Sequence, residues 1–244
     1  MTSDMKRLYF ISGIVAFLLV ATGCLKEEDN IGNGPRAYLS IVNAGLGSPG
    51  IRLFTDGEAV NETAVEFGGS TGTSTNSYLK VKPGVRLMTI EAVAGQPALD
   101  KNFSFTAGKY FTLLQYDTFR VNSAYLLLTD DDLQLNDTLT NVRFTNLVAG
   151  SNALDLILIK NGDTIRVAND VDYFGMQTTV SKSFEVKFYP GTYRMELLSE
   201  TGTVLSSEDV DLAVKTGYSL IAIGEREGTG ERRPRMMLVA HQAF

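Results

Sequence analysis

Three residue types are almost missing from this chain of 244 residues: it holds one Cys, one His and no Trp. A lone thiol cannot close an internal disulfide, so the fold is held without cross-links. One thiol and one imidazole cannot supply the four ligands of a Cys/His zinc site either. The excess of one charge sign is small, 22 Lys+Arg against 28 Asp+Glu for a net charge of −6. That sign argues against a nucleic-acid partner, which selects a basic face. With 44% hydrophobic and 20% charged residues, the composition is that of a globular protein and not of a disordered one.

Long apolar runs are scarce as well, with one exception near the N-terminus. Lys6 and Arg7 precede 16 uncharged residues, Leu8 to Gly23. A spanning helix needs about 20 apolar residues, so this run is short for a span and fits a signal-peptide core. The alternatives are an ordinary secretory peptide and an uncleaved anchor helix. Ala21-Thr22-Gly23-Cys24 resembles a bacterial lipobox, with Ala21 where the pattern prefers Leu. The resemblance implies cleavage after Gly23 and lipid attachment at Cys24. The following Lys26, Glu27, Glu28 and Asp29 are similar to the surface-export signal of Bacteroidota lipoproteins. Together these imply an outer-membrane protein, lipid-anchored and facing the cell exterior. The expected organisation begins with a signal peptide, 1–23, and a lipidated flexible tether, 24–36, rich in turn residues.

The remainder repeats itself. Phe67-Gly68 and Pro83-Gly84 recur as Phe174-Gly175 and Pro190-Gly191, and Lys80 and Met88 recur as Lys187 and Met195, all offset by 107. With small slips, Asn43 matches Asn146, Asp56-Gly57 matches Asn161-Gly162, and Tyr110 matches Tyr218. A shared offset across turn residues predicts two domains, 37–129 and 141–244, joined by an acidic connector, 130–140. Inside each copy the hydrophobic period is two: Phe184, Val186 and Phe188 alternate with Glu185 and Lys187. Such alternation predicts antiparallel sheets with one face buried and one wet. Asp56-Gly57 and Asn161-Gly162 suit tight hairpin turns. About seven short strands per copy make a β-sandwich.

The stretch Leu39 to Asn43, then Ser48-Pro49, then Ile51 to Gly57, resembles the opening of the "domain of unknown function 4397" family; Lys82-Pro83-Gly84 and Thr106 to Thr112 fit the same pattern. The second copy departs at Ser151-Asn152, where the proline is missing, and at Thr216-Gly217-Tyr218, one residue shorter. The resemblance implies an all-β chain of two tandem Ig-like antiparallel β-sandwich domains. It also implies an envelope location and no assigned activity.

Residues that could carry chemistry are few. His241 has no Gly-x-Ser-x-Gly elbow to pair with and is expected to be a strand-end residue whose loss leaves function intact. Asp130-Asp131-Asp132 lack the glycine and glutamate of a calcium loop and read first as connector. Gly68 to Asn76 has no phosphate-loop lysine, and Glu225 to Arg235 is a charge-balanced hairpin tip. Asp137-Thr138-Leu139 and Asp163-Thr164-Ile165 resemble an O-glycosylation pattern, implicating Thr138 and Thr164. No catalytic, cofactor-binding or metal-binding residue is assigned, and a hydrolase is disfavoured. The expected function is a binding or adhesion module for an unknown protein or glycan ligand, using loops 44–50, 68–76 and 147–153. The alternative is a fimbrial-type subunit assembling by strand donation, with Arg36 as a maturation site.

Overall fold

Among the described residues the fold is made of seventeen short strands, and there is no α-helix. The computed structural model describes residues 34–71, 78–92, 96–119, 124–130, 135, 138–174, 184 and 186–241. Cys24, Lys26, Glu27, Glu28 and Asp29 lie outside the described residues. Residues Pro35–Phe244 form one unit.

The first half runs β1 (Ala37–Asn43), β2 (Ile51–Thr55), β3 (Glu58–Ala59), β4 (Gly69–Ser70), β5 (Leu79–Val81), β6 (Gly84–Ala92), β7 (Gln96–Phe105), β8 (Tyr110–Tyr116) and β9 (Ala124–Thr129). The second runs β10 (Thr140–Ala149), β11 (Leu154–Lys160), β12 (Asp163–Val171), β13 (Val186–Phe188), β14 (Gly191–Ser199), β15 (Val204–Leu212), β16 (Gly217–Glu225) and β17 (Arg235–His241). The sequence count of about seven per half misses β3 and β4, which are two residues each and too short to show a period.

Each half folds into two sheets. In the first, β1 pairs with β4, β5 and β8, and β8 with β9; the second sheet has the order β3-β2-β6-β7. In the second half, β13-β10-β16-β17 and β12-β11-β14-β15 repeat this plan. Even the unusual element recurs: β1 is parallel to β8, and β10 is parallel to β16. The other pairs among these strands are antiparallel.

The hairpin turns are in their expected places. Thr55 faces Glu58 across Asp56-Gly57, with φ of 50° and 84°. Lys160 faces Asp163 across Asn161-Gly162, with φ of 53° and 87°. Two consecutive left-handed residues define the type I′ turn, whose twist suits a two-residue hairpin. The offset between halves grows from 103 at Asn43/Asn146 to 105 at these turns and 107 at Phe67/Phe174. The first two extra residues lengthen β11 to 7 residues against 5 in β2. An even insertion leaves inward and outward faces unchanged.

One sequence match is corrected. Tyr38 lies beside Tyr110, and its counterpart Asn141 lies beside Gly217. Tyr110 therefore corresponds to Gly217, not Tyr218. The turn before β16 is no shorter than that before β8: Lys215, at φ 54°, takes the left-handed position held by Gly108, at φ 75°. Matching the two tyrosines hides this, because the substitution replaces glycine with a side chain.

Three apolar layers separate four sheets. One lies between the sheets of the first half and includes Leu39, Ile41, Leu53, Met88, Ile90 and Leu113. Another lies between those of the second half and includes Val142, Leu156, Leu158, Met195, Leu197 and Leu220. The third joins the halves: Val42, Leu114 and Leu128 pack with Leu147, Ile221, Ile223, Met237 and Val239. The sheets containing β1 and β10 are thus covered on both faces. Burial alternates along the outer strand β2 but is almost continuous along β16, as expected where no face meets water.

Candidate functional site

The local device that shapes each half is an asparagine at the end of its first strand. Asn43 Nδ2 donates to Ser48 Oγ at 3.2 Å, to the Pro49 carbonyl at 3.3 Å and to the Val65 carbonyl at 2.9 Å. Asn146 Nδ2 donates to Ser151 Oγ at 3.1 Å, to the Asn152 carbonyl at 3.3 Å and to the Val171 carbonyl at 3.0 Å. Because a backbone carbonyl is what the amide needs, Asn152 replaces Pro49 without loss. This clamp fixes loops 44–50 and 147–153, leaving Gly47, Pro49, Gly150 and Asn152 exposed. Ala44, Leu46 and Ser48 are buried, as are Leu147, Val148, Ser151 and Ala153.

The chemically richest cluster lies between the halves. Tyr78 precedes β5, Thr112 is on β8 and Asp130 follows β9; Arg143 is on β10, Ser219 on β16 and His241 ends β17. None is more than 7% exposed. Arg143 Nη1 pairs with Asp130 Oδ1 at 2.6 Å. Its Nε donates to Ser219 Oγ at 2.7 Å and its Nη2 to Thr112 Oγ1 at 3.2 Å. Thr112 Oγ1 donates to Asp130 Oδ2 at 2.6 Å, and the Tyr78 hydroxyl to the same oxygen at 2.9 Å. His241 sits between two hydroxyls, with Nδ1 2.7 Å from Tyr78 and Nε2 2.7 Å from Ser219. Phe184 closes the cluster, its ring 4.4 Å from the Arg143 guanidinium carbon.

One assignment of protons satisfies all these contacts. The Tyr78 hydroxyl donates its hydrogen bond to Asp130, so its oxygen accepts from His241 Nδ1–H. His241 Nε2 is then bare and accepts from the Ser219 hydroxyl, whose oxygen accepts from Arg143 Nε–H. The ring is directional, and His241 is neutral within it. Burial pushes the His241 pKa down to about 3, and Arg143 adds to the shift against the opposing pull of Asp130. Burial alone would raise Asp130, but the Arg143 charge, with hydrogen bonds from Thr112 and Tyr78, holds it below its ordinary value. Burial and the Asp130 charge drive the Tyr78 hydroxyl well above the usual phenol range.

Ser219, His241 and Asp130 together suggest a nucleophilic triad, but the roles do not fit. Tyr78 stands between His241 and Asp130, which are 4.0 Å apart. Asp130 already neutralises Arg143, and an imidazole with a pKa near 3 is a poor general base at neutral pH. Ser219 is 2% exposed, so a substrate has no approach. The chemistry of this cluster is directed at holding two sheets together. The sequence expectation for Asp130, a solvated connector residue with the option of calcium, is corrected: both its oxygens are engaged by protein groups. Asp131 and Asp132 lie outside the described residues, and among the described residues no group of three metal-ligating side chains assembles.

Register relates the members of the cluster in pairs. Ser40 lies beside Thr112 as Arg143 lies beside Ser219. Asp130, bonded to the Tyr110 carbonyl, matches His241, which faces Gly217. Matching positions in the two halves therefore carry unlike residues, Ser40 with Arg143 and Asp130 with His241. Comparing the copies position by position in the sequence would expose these pairs.

Open clefts among the described residues offer room for ligands. One, of about 510 Å³, is lined by Asn61, Glu62, Thr63, Glu66, Ser70 and Thr71 among others. Another, of about 250 Å³, includes Asn152, Glu200, Thr201, Arg226 and Glu227. Here Glu200 accepts from Asn152 at 2.8 Å and from Arg226 at 3.1 Å. Thr138 and Thr164 are both exposed.

Fold and cluster define an all-β protein whose buried polar groups serve architecture. The family model for "Domain of unknown function (DUF4397)" matches residues 37–157, and this part of the chain belongs to that family. The match covers the whole first half, β10 and the start of β11. No curated protein matches the chain. Among the described residues no helix is long and apolar enough to cross a membrane.

Proposed function

We propose that the chain is a lipid-anchored binding module of the bacterial cell envelope, held at Cys24 and displayed outward. On this reading residues 140–241 are a second copy of the family domain, and the pair forms a rigid body for loops and clefts. The observation that carries it is the buried Arg143–Asp130–His241 cluster. Among the described residues, Arg143, Asp130, His241 and Ser219 are engaged in fixing two halves, while polar clefts lie open at the surface. A module of this kind recognises a protein or glycan by surface complementarity. A strand-accepting subunit would instead need a groove lacking a strand, and here β1 and β10 are already paired on both sides.

Metabolic labelling with an alkyne fatty acid tests the anchor. Label is expected on the wild type and none on Cys24→Ala; an unlabelled wild type refutes it. Protease shaving of intact cells tests the outward display, and a protected body refutes that part.

A further inference from the structure

Both halves present the same end in the same direction. Near the start of β1 and β10, Tyr78 and Asp130 meet His241 and Arg143. Near their ends, Tyr116 packs on Phe174 at 5.3 Å and Phe67 on Arg235 at 4.9 Å. The end from which β1 departs is also where the chain enters the fold, Gly108 donating to the Arg36 carbonyl. The turns before β6, β8, β14 and β16 share it.

The residues at this end are not those of an ordinary wet surface. Among the described residues five large hydrophobics are exposed: Val85 at 68%, Leu87 at 45%, Tyr189 at 71%, Val204 at 49% and Val214 at 41%. All but Val204 lie at or beside this end. Tyr189 and Val214 tip neighbouring turns, because Gly191 faces Leu212 where β14 begins and β15 stops. Of seven described lysines, six gather here: Lys80, Lys82, Lys109, Lys160, Lys187 and Lys215, leaving only Lys101. Arg226, Arg232, Arg233 and Arg235 belong to the opposite end, around the β16–β17 connection.

We propose that this end rests on an anionic lipid surface. Tyr189, an amphipathic ring on a turn tip, enters the headgroup region with Val214, and the surrounding lysines attract the acidic headgroups. Exposed aromatic and aliphatic tips on a surface where lysines outnumber carboxylates are the combination an interfacial contact uses. Lysine stems cover apolar surface while their ammonium groups stay wet. Exposed Asp56, Glu58, Asp163 and Asp211 share this end, Glu58 pairing with Lys82 at 3.6 Å, but the six lysines outnumber these four acids, and charges more than a Debye length of about 8–10 Å from the surface are screened.

The absence of Trp makes the test direct. Tyr189→Trp and Val204→Trp each introduce a single indole fluorophore, one at each end. The protein used is residues 35–244, which contain all three apolar layers and form one unit. Failure of lipidation at Cys24 therefore leaves the outcome unaffected. With vesicles of equimolar phosphatidylcholine and phosphatidylglycerol, the indole emission of Tyr189→Trp should shift to the blue while that of Val204→Trp stays unchanged. Adding Lys187→Glu and Lys215→Glu to Tyr189→Trp should weaken partitioning about tenfold or more, with circular dichroism confirming the fold. No shift in Tyr189→Trp, an equal shift in Val204→Trp, or an equal response to pure phosphatidylcholine overturns the proposal.

Discussion

At the scale of single residues, the inter-half cluster concentrates the largest energetic stakes in the chain. Arg143 and Asp130 are both buried, and removing one partner leaves the other charge without compensation. Asp130→Asn is therefore expected to cost about 3–5 kcal/mol in chemical denaturation. The direction of the pH dependence follows from His241, whose pKa falls from 6.5 unfolded to about 3 folded. Between these values the unfolded chain binds the proton and the folded chain does not. Stability is then fully present above about pH 6.5 and declines on acidification, by up to about 1.4 kcal/mol per pH unit for this group. Asp130, also held low, adds a loss of the same sign below its unfolded value. In His241→Gln the slope between about pH 6 and pH 3.5 should flatten while neutral stability drops; thermal melts across this range check it. Of these residues the sequence displayed His241 as a strand-end residue, which it is. Its partners were not legible, because Tyr78 lies 163 positions away and no spacing rule spans that distance.

At the scale of elements, turn chemistry was the most legible layer. Asp56-Gly57 and Asn161-Gly162 announce their conformation in two letters, since few residues tolerate consecutive left-handed dihedrals. The asparagine clamps were visible only as a repeated Asn, not as the hydrogen bonds that explain it. Asn43→Ala and Asn146→Ala each strip three acceptors of a buried donor. Each is expected to cost about 2–3 kcal/mol, measured by denaturant midpoint. A near-neutral effect in either would mean that the loop is held by other contacts. The turn before β16 is illegible for the opposite reason: sequence gives no sign that Lys215 stands in a left-handed position, so Tyr218 falls opposite Tyr110 in a comparison of the copies.

At the scale of the whole molecule, the apolar layer between the halves decides behaviour. With Val42, Leu114, Ile221, Ile223 and Val239 buried there, neither half can open without exposing a face of its inner sheet. A single calorimetric transition is expected, with equal van't Hoff and calorimetric enthalpies; two resolved transitions would contradict it. The layer did leave a trace in the sequence. Leu220-Ile221-Ala222-Ile223 has no alternation, and an unbroken apolar run in a strand marks cover on both sides. Counting domains by repeat length conceals that signal, because the offset describes duplication and says nothing about what packs on what. The unlike residues at matching positions have a further result. Were the first half to meet another copy of itself in the same arrangement, Asp130 would confront Asp130 where His241 now stands; were the second half to do so, Arg143 would face His241 in place of the Asp130 carboxylate, a buried cation with no counter-ion. Self-association of like halves thereby buries charge with no opposite charge to meet it, which favours the other half of the same chain as partner.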